Sequence, residues 1–219
     1  MSIVFDCNDP DSRSAGIRAA VGAVKAGRLV VTPTDTVYGL GCDAFDSDGV
    51  AALLAAKGRG RDMPVPVLVG SWHTIDGLVL SVSQAARDLV EAFWPGGLSL
   101  VVEQAPSLAW DLGDTAGTVM LRMPLHPVAI ELLREVGPMA VSSANKSGRP
   151  PAVTMAQARD QLGEEVAVYL DGGEATVGEP STIVDVSGAT PRILRQGAVS
   201  VAAVSEVLDL APDVLLGRE

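Results

Sequence analysis

Residues 57–66, KGRGRDMPVP, set Lys57, Arg59 and Arg61 on alternate positions of a chain whose formal net charge is −11. Three cations so spaced either solvate a loop or form a site for a highly charged anion. Two further cations sit where surface charge is not expected. Arg122 closes the apolar run GTVMLR, and Arg195 closes PRILR. A guanidinium at the end of such a strand needs a carboxylate or phosphate partner, so Arg122 pairs with an internal Asp or Glu or holds a ligand. Lys57, Arg59, Arg122 and Arg195 all fall at element ends, whereas ordinary surface Lys and Arg scatter along polar helix faces. PTDTVYGLG places Thr34, Asp35, Thr36 and Tyr38 directly after a strand end, where α/β folds present ligand contacts. A proline-initiated turn with a side-chain cap would use the same residues.

The common nucleotide motifs are missing. There is no GxxxxGK[ST] run, and YGLGCDA lacks the third glycine of a dinucleotide fingerprint. No GxSxG elbow occurs, and neither histidine lies near an obvious Ser or Cys partner, which disfavours a Ser-His hydrolase. SANK at 143–146 matches SxxK and KSG at 146–148 approaches KTG, but both would use Lys146, and the penicillin-binding chemistry needs separate lysines.

The elements that must position these residues follow from periodicity and breakers. DSRSAGIRAAVGAVKAG spaces Ile17, Val21 and Val24 on one helical face, capped at Asp11 or Ser12 and stopped by Gly27. RLVVT reads as a strand, and DSDGVAALLAAKG as a helix that ends at Lys57 and leaves Arg59 and Arg61 in the loop beyond. VPVLVG is strand-like, and Pro66 suggests an edge or a strand start. SQAARDLVEAFWPG and HPVAIELLREVG predict helices; LSLVVE, TVMLRMP and PMAVS predict strands, with QAPSLAWDLGDTAG as a long loop. SANKSGRPPAVT is the best candidate for a functional loop. A helix over MAQARDQLG, strands VAVYLDGG, STIVDV and PRILR, and a helix over VAAVSEVLDL complete the series. Interleaved helices and strands predict one α/β domain with a mixed sheet over residues 1–210, followed by a fraying tail at 211–219.

Composition narrows the function classes. Of 219 residues 47% are hydrophobic and 20% charged, which supports a substantial core. Cys7 and Cys42 are too few for a disulfide framework and lack zinc spacing, as expected of a reducing cytosol, and no metal site is expected from side chains. No basic segment followed by an apolar one opens the chain, and no uncharged apolar run reaches the roughly 18 residues of a membrane span. The acidic balance argues against a surface that grips nucleic acid by neutralising phosphates.

Together PTDTVYGLG, KGR, FWPGGLSLV, LRMPLHPVA, SSAN.SGRP and STIVDV...ILR, in this order from about residue 15 to residue 200, resemble the YrdC-like family of threonylcarbamoyl-AMP synthases. The resemblance implies a YrdC-like catalytic domain, a twisted mixed sheet with flanking helices around a concave cationic pocket. It implies that L-threonine, bicarbonate and ATP give threonylcarbamoyl-AMP and pyrophosphate, with a separate transferase moving the threonylcarbamoyl group to adenosine 37 of tRNA. It assigns ATP to Lys57 and Arg59, also the candidate catalytic pair, with Thr118, Ser143, Asn145 and Arg195. It assigns threonine to Thr36, Arg122, Val141 and Ser181. No side-chain nucleophile is needed, since carboxylated threonine attacks the α-phosphorus while the protein aligns and neutralises, helped by Mg2+ on the phosphates. Met63 stands where relatives commonly have Lys or Asn, Pro151 where they commonly have Ser, and SSAN replaces PSAN; Arg61 is the candidate replacement for the lost cation. An RNA-binding protein, or a paralogue handling another carbamoyl adenylate, are the alternatives. Stable tRNA binding and a membrane are not expected, and the cytoplasm is.

Overall fold

The fold, a computed structural model, describes residues 2–218. It opens with β1 (Ile3–Asp6) and α1 (Pro10–Lys25). Asp9, not Asp11 or Ser12, caps α1: its carboxylate accepts from the Ser12 amide at 2.8 Å. The helix starts earlier because Pro10 fills its first position, where an amide proton has no intrahelical partner. Next come β2 (Val30–Thr32), β3 (Gly39–Asp43) and α2 (Ser47–Lys57), which ends as predicted at Lys57 with Gly58 left-handed at φ 62°.

β4 (Val67–Leu68), a 3-10 turn at Trp72–Gly77, α3 (Gln84–Phe93), β5 (Leu98–Glu103) and β6 (Thr118–Arg122) follow. The chain continues through α4 (Pro127–Val136), β7 (Met139–Ser143), α5 (Met155–Leu162), β8 (Val168–Asp171), β9 (Thr182–Asp185), β10 (Arg192–Arg195) and α6 (Val201–Leu208). α7 (Pro212–Leu216) replaces the expected fraying tail: Leu215 is fully buried and the Val214 carbonyl accepts from Arg192 Nη1 at 3.0 Å.

One mixed sheet runs β1-β8-β2-β3-β7-β4-β6-β5-β9-β10, so the predicted α/β class holds. β4 lies in its interior, parallel to β6 and antiparallel to β7, which overturns the edge reading of Pro66. The proline stands just before the ladder, where its missing N–H costs nothing, and its carbonyl accepts from Val141 N at 2.8 Å. β1 and β3 were not predicted. β3 contains Gly39 and Gly41, poor strand formers, yet a Cβ on Gly39 would lie 2.6 Å from Val141 Cγ1 of the neighbouring strand. Close strand approach, rather than propensity, makes it a strand.

Alternation along the strands separates two cores. Val31, Leu40, Cys42, Ala140 and Tyr169 join the larger cluster with residues of α2, α3, α5, α6 and α7. Val30, Met139, Val141, Val168 and Leu170 join the second cluster, beneath α1 and α4. Leu68 and Val141 belong to that second face and also line a cavity, along with Ser99, Met120, Arg122 and Ile183 from β5, β6 and β9. Where the helices α1 and α4 stop covering this face of the sheet, the candidate site begins.

Candidate active site

The cavity has a volume of about 250 Å³ and three guanidinium groups in its wall, Arg59, Arg122 and Arg195, with no Asp or Glu among its lining residues. Of the ten residues singled out from the sequence, Thr36, Arg59, Arg122, Val141, Ser143, Ser181 and Arg195 line it. Lys57, Thr118 and Asn145 do not. A wider depression of about 560 Å³, beside α2 and the Gly163–Glu165 turn, contains none of the ten.

Arg122 resolves the choice left open by its sequence position. Its Nη2 pairs with Asp35 Oδ1 at 2.7 Å, Nη1 donates to Thr36 Oγ1 at 2.6 Å, and Nε donates to the Gly96 carbonyl at 2.8 Å. Both charges are buried, 6% and 5% exposed. Three of five N–H donors are used, so internal pairing leaves two for a ligand. Burial is the main influence on the guanidinium and lowers its pKa; Asp35 opposes that effect. Asp35 is fixed in turn by the Leu125 amide at 2.9 Å.

The PTDT segment is a capped turn and part of the site at once. Thr34 Oγ1 donates to the Val37 carbonyl at 2.6 Å and accepts from the Thr36 and Val37 amides at 3.2 and 3.3 Å. That turn presents Thr36 to Arg122 and places Thr34 in the cavity wall.

Arg59 is held loosely. Its Nη atoms reach Ser142 Oγ and the Pro64 carbonyl at 3.4 and 3.3 Å, and its buried Nε has no partner. Burial lowers its pKa. An unpaired donor on a desolvated cation is the feature that an anionic oxygen satisfies. Arg61 does not supplement it: the side chain is tied to Asp111 by bonds of 2.9 and 2.6 Å, approaches Asp114 at 3.7 Å, and is exposed. Met63 is 51% exposed and outside the lining, while Pro151 and Ser142 are in it.

Lys57 supports the site from behind. The ammonium is 3% exposed and donates to the Ser143 and Asn145 carbonyls, joining the end of α2 to the loop after β7. Burial, then the Arg59 charge, push its pKa down to about 8. Asn145 directs its amide nitrogen to the Lys146 and Arg149 carbonyls at 2.9 and 2.8 Å and leaves Oδ1 buried without a partner. Thr118 shares the face of β6 that carries Met120 and Arg122, since strand side chains repeat every second residue. Its hydroxyl donates to the Thr115 carbonyl at 2.8 Å, and it is not among the lining residues.

Arg195 donates through Nε and Nη2 to the Ser181 carbonyl at 3.1 and 2.8 Å, and Nη2 lies 3.2 Å from Ser181 Oγ. Sequence reasoning missed Ser99, which is 3% exposed and 2.8 Å from Ser181 Oγ. The available signal was a lone hydroxyl inside the apolar strand LSLVVE, because a buried hydroxyl requires a partner.

The sequence model of the Sua5/YciO/YrdC family, described as "Telomere recombination", matches residues 22–197. A Mycobacterium tuberculosis protein provisionally named threonylcarbamoyl-AMP synthase is 70% identical over 217 residues, covering 99% of this chain and 100% of its own. The threonylcarbamoyl-AMP synthase of Pyrococcus abyssi is 33% identical over 193 residues, 88% of this chain and 57% of its own length. The crystal structure of P. abyssi Sua5 complexed with L-threonine is similar at a TM-score of 0.88 and 31% identity, covering 94% of this chain and 61% of that one. On the extent of these matches, this chain belongs to the Sua5/YciO/YrdC family.

Proposed function

We propose that this protein is a threonylcarbamoyl-AMP synthase, converting L-threonine, bicarbonate and ATP into threonylcarbamoyl-AMP and pyrophosphate for N6-threonylcarbamoylation of adenosine 37 in tRNA. The observation that carries this reading is a cavity with three guanidinium groups and no acidic lining residue, inside a chain of net charge −11. Such a site stabilises anions, and this reaction brings together a carboxylate, a carbonate-derived group and a triphosphate.

At about 250 Å³ the enclosed space is below the roughly 300–1,000 Å³ of typical small-molecule pockets, so it takes the threonyl, carboxyl and phosphate portions. Adenosine then rests at the mouth, toward Thr118 and Asn145. Arg122 and Thr36 hold the threonine carboxylate, and Arg59 takes phosphate oxygens. Carboxylated threonine attacks the α-phosphorus and pyrophosphate leaves; the protein's part is alignment and charge neutralisation. Among the described residues no group of three or more His, Cys, Asp or Glu is placed to hold a metal, so Mg2+ would enter on the phosphate oxygens and supply further neutralisation there. No described helix is long and apolar enough to cross a membrane, and a cytoplasmic setting beside a threonylcarbamoyl transferase is part of this reading.

Pyrophosphate release should require threonine, bicarbonate and ATP together, with an AMP adduct of the right mass; release that persists when threonine or bicarbonate is omitted rules the reading out. Arg59→Ala should raise the ATP KM or lower kcat by about 100-fold, the scale of losing one preorganised donor to developing charge.

A further inference from the structure

Ser99 stands between two arginines. The antiparallel ladder of β5 and β6 pairs Leu100 with Leu121, so one step further along the register Ser99 faces Arg122. On its other side β5 runs parallel to β9, and Ser99 Oγ lies 2.8 Å from Ser181 Oγ, the hydroxyl that Arg195 reaches at 3.2 Å. The two guanidiniums are near enough for the Arg195 charge to act on Arg122. Asp35 pairs with Arg122, and among the described residues no carboxylate pairs with Arg195.

Two hydroxyls joined by one hydrogen bond use one of their two protons. Ser181 Oγ accepts from Arg195, and neither hydroxyl donates to any other group among the described residues. Whichever serine donates within the pair, the other retains a free O–H. Both residues are buried, 3% and 7% exposed, and both line the cavity, so the spare donor has only the cavity in which to find an acceptor. Arg195 is exposed on its outer side, and the end of its guanidinium that reaches Ser181 lies in the cavity wall.

We propose that Ser99, Ser181 and Arg195 form a subsite for a planar carboxylate-type oxyanion, occupied by bicarbonate or by the carboxyl group that it becomes on the threonine nitrogen, with Ser99 an additional binding residue. This rests on the synthase reading. The shared ligand chemistry also admits the carboxylate of threonine itself, and the kinetic arms separate the two sources.

Ser99→Ala and Ser99→Thr are compared with wild type in steady-state pyrophosphate assays, titrating each substrate separately. Ser99→Ala should raise the bicarbonate KM about 10-fold while the KM values for threonine and ATP stay within twofold, and Ser99→Thr, which keeps the hydroxyl, should recover most of the loss. An increase confined to threonine assigns the subsite to that carboxylate and overturns the bicarbonate assignment. Equal damage from Ser99→Thr, or no shift in any KM, overturns the hydroxyl subsite altogether. Thermal-shift titrations of wild type and Ser99→Ala with sodium bicarbonate and with L-threonine read binding apart from turnover. Anion stabilisation of wild type, reduced in the alanine variant, supports the subsite even if no adenylate forms; a wild type stabilised by neither anion overturns it.

Discussion

Asp35→Ala should be among the most damaging single changes in this protein, although Asp35 itself is outside the cavity lining. It removes the carboxylate 2.7 Å from a guanidinium that is 6% exposed, together with the acceptor of the Leu125 amide at 2.9 Å. Breaking a buried ion pair on one side costs about 3–5 kcal/mol because the remaining charge is desolvated and uncompensated. Arg122 keeps its bonds to Gly96 and Thr36 and faces a cavity that admits water, so the lower end, about 3 kcal/mol, is expected. For a domain of this size that is a fall of roughly 6–12 °C in Tm, or a lower urea midpoint at unchanged slope. The double variant Asp35→Ala/Arg122→Met removes both charges of the pair and should recover much of the loss. A single variant within about 1 kcal/mol of wild type, or a double variant showing the full sum of two separate losses, refutes the reasoning.

Lys57 gives a pH signature. With the folded pKa at about 8 against an ordinary 10.5, the unfolded chain binds the extra proton between those values, so this residue makes stability rise with pH across that window. Below about pH 8 the burial cost is fully present. The stability difference, wild type minus Lys57→Met, should therefore increase from about pH 7.5 to about pH 9.5 in urea unfolding, and a flat difference contradicts the assignment. Gly39→Ala puts a Cβ 2.6 Å from Val141 Cγ1 and should push that side chain into the cavity; the threonine KM should rise about 10-fold at a stability cost of about 1–3 kcal/mol. An unchanged KM would show that the wall yields elsewhere. Leu215→Ala should cost about 2–5 kcal/mol by calorimetry or urea titration, as for any fully buried leucine, whereas a fraying tail predicts almost no change.

Most helices were legible because caps and apolar spacing are local. α2 is an example: its periodic leucines and the following Gly58 located Lys57 at the helix end without tertiary information. The strands were harder. β3 is short and rich in glycine, and its pairing with β7 depends on the space that Gly39 and Gly41 leave for Val141, a contact about a hundred residues away in sequence. β4 has only two residues, and its place between β6 and β7 could not be read from Val67 and Leu68.

The residue types at strand and helix ends already told much about the site, because a cation that closes an apolar run must find an anion. Arg122 and Arg195 were nominated on that ground, and Lys57 and Arg59 as cations at a helix end; the three arginines converge on one cavity and Lys57 does not line it. Which anion each one meets is a matter of distance across the fold. Arg122 meets Asp35, Arg61 meets Asp111 at the surface, and Arg59 retains a buried N–H without a partner. KGRGR therefore contains three different cations: Lys57 a clamp on the loop after β7, Arg59 a cavity donor, and Arg61 a surface strap. Charge and spacing along the chain marked out the cations of a candidate anion site. Only tertiary structure, which sets burial and the competing partners of each donor, decided which cations remain available to it.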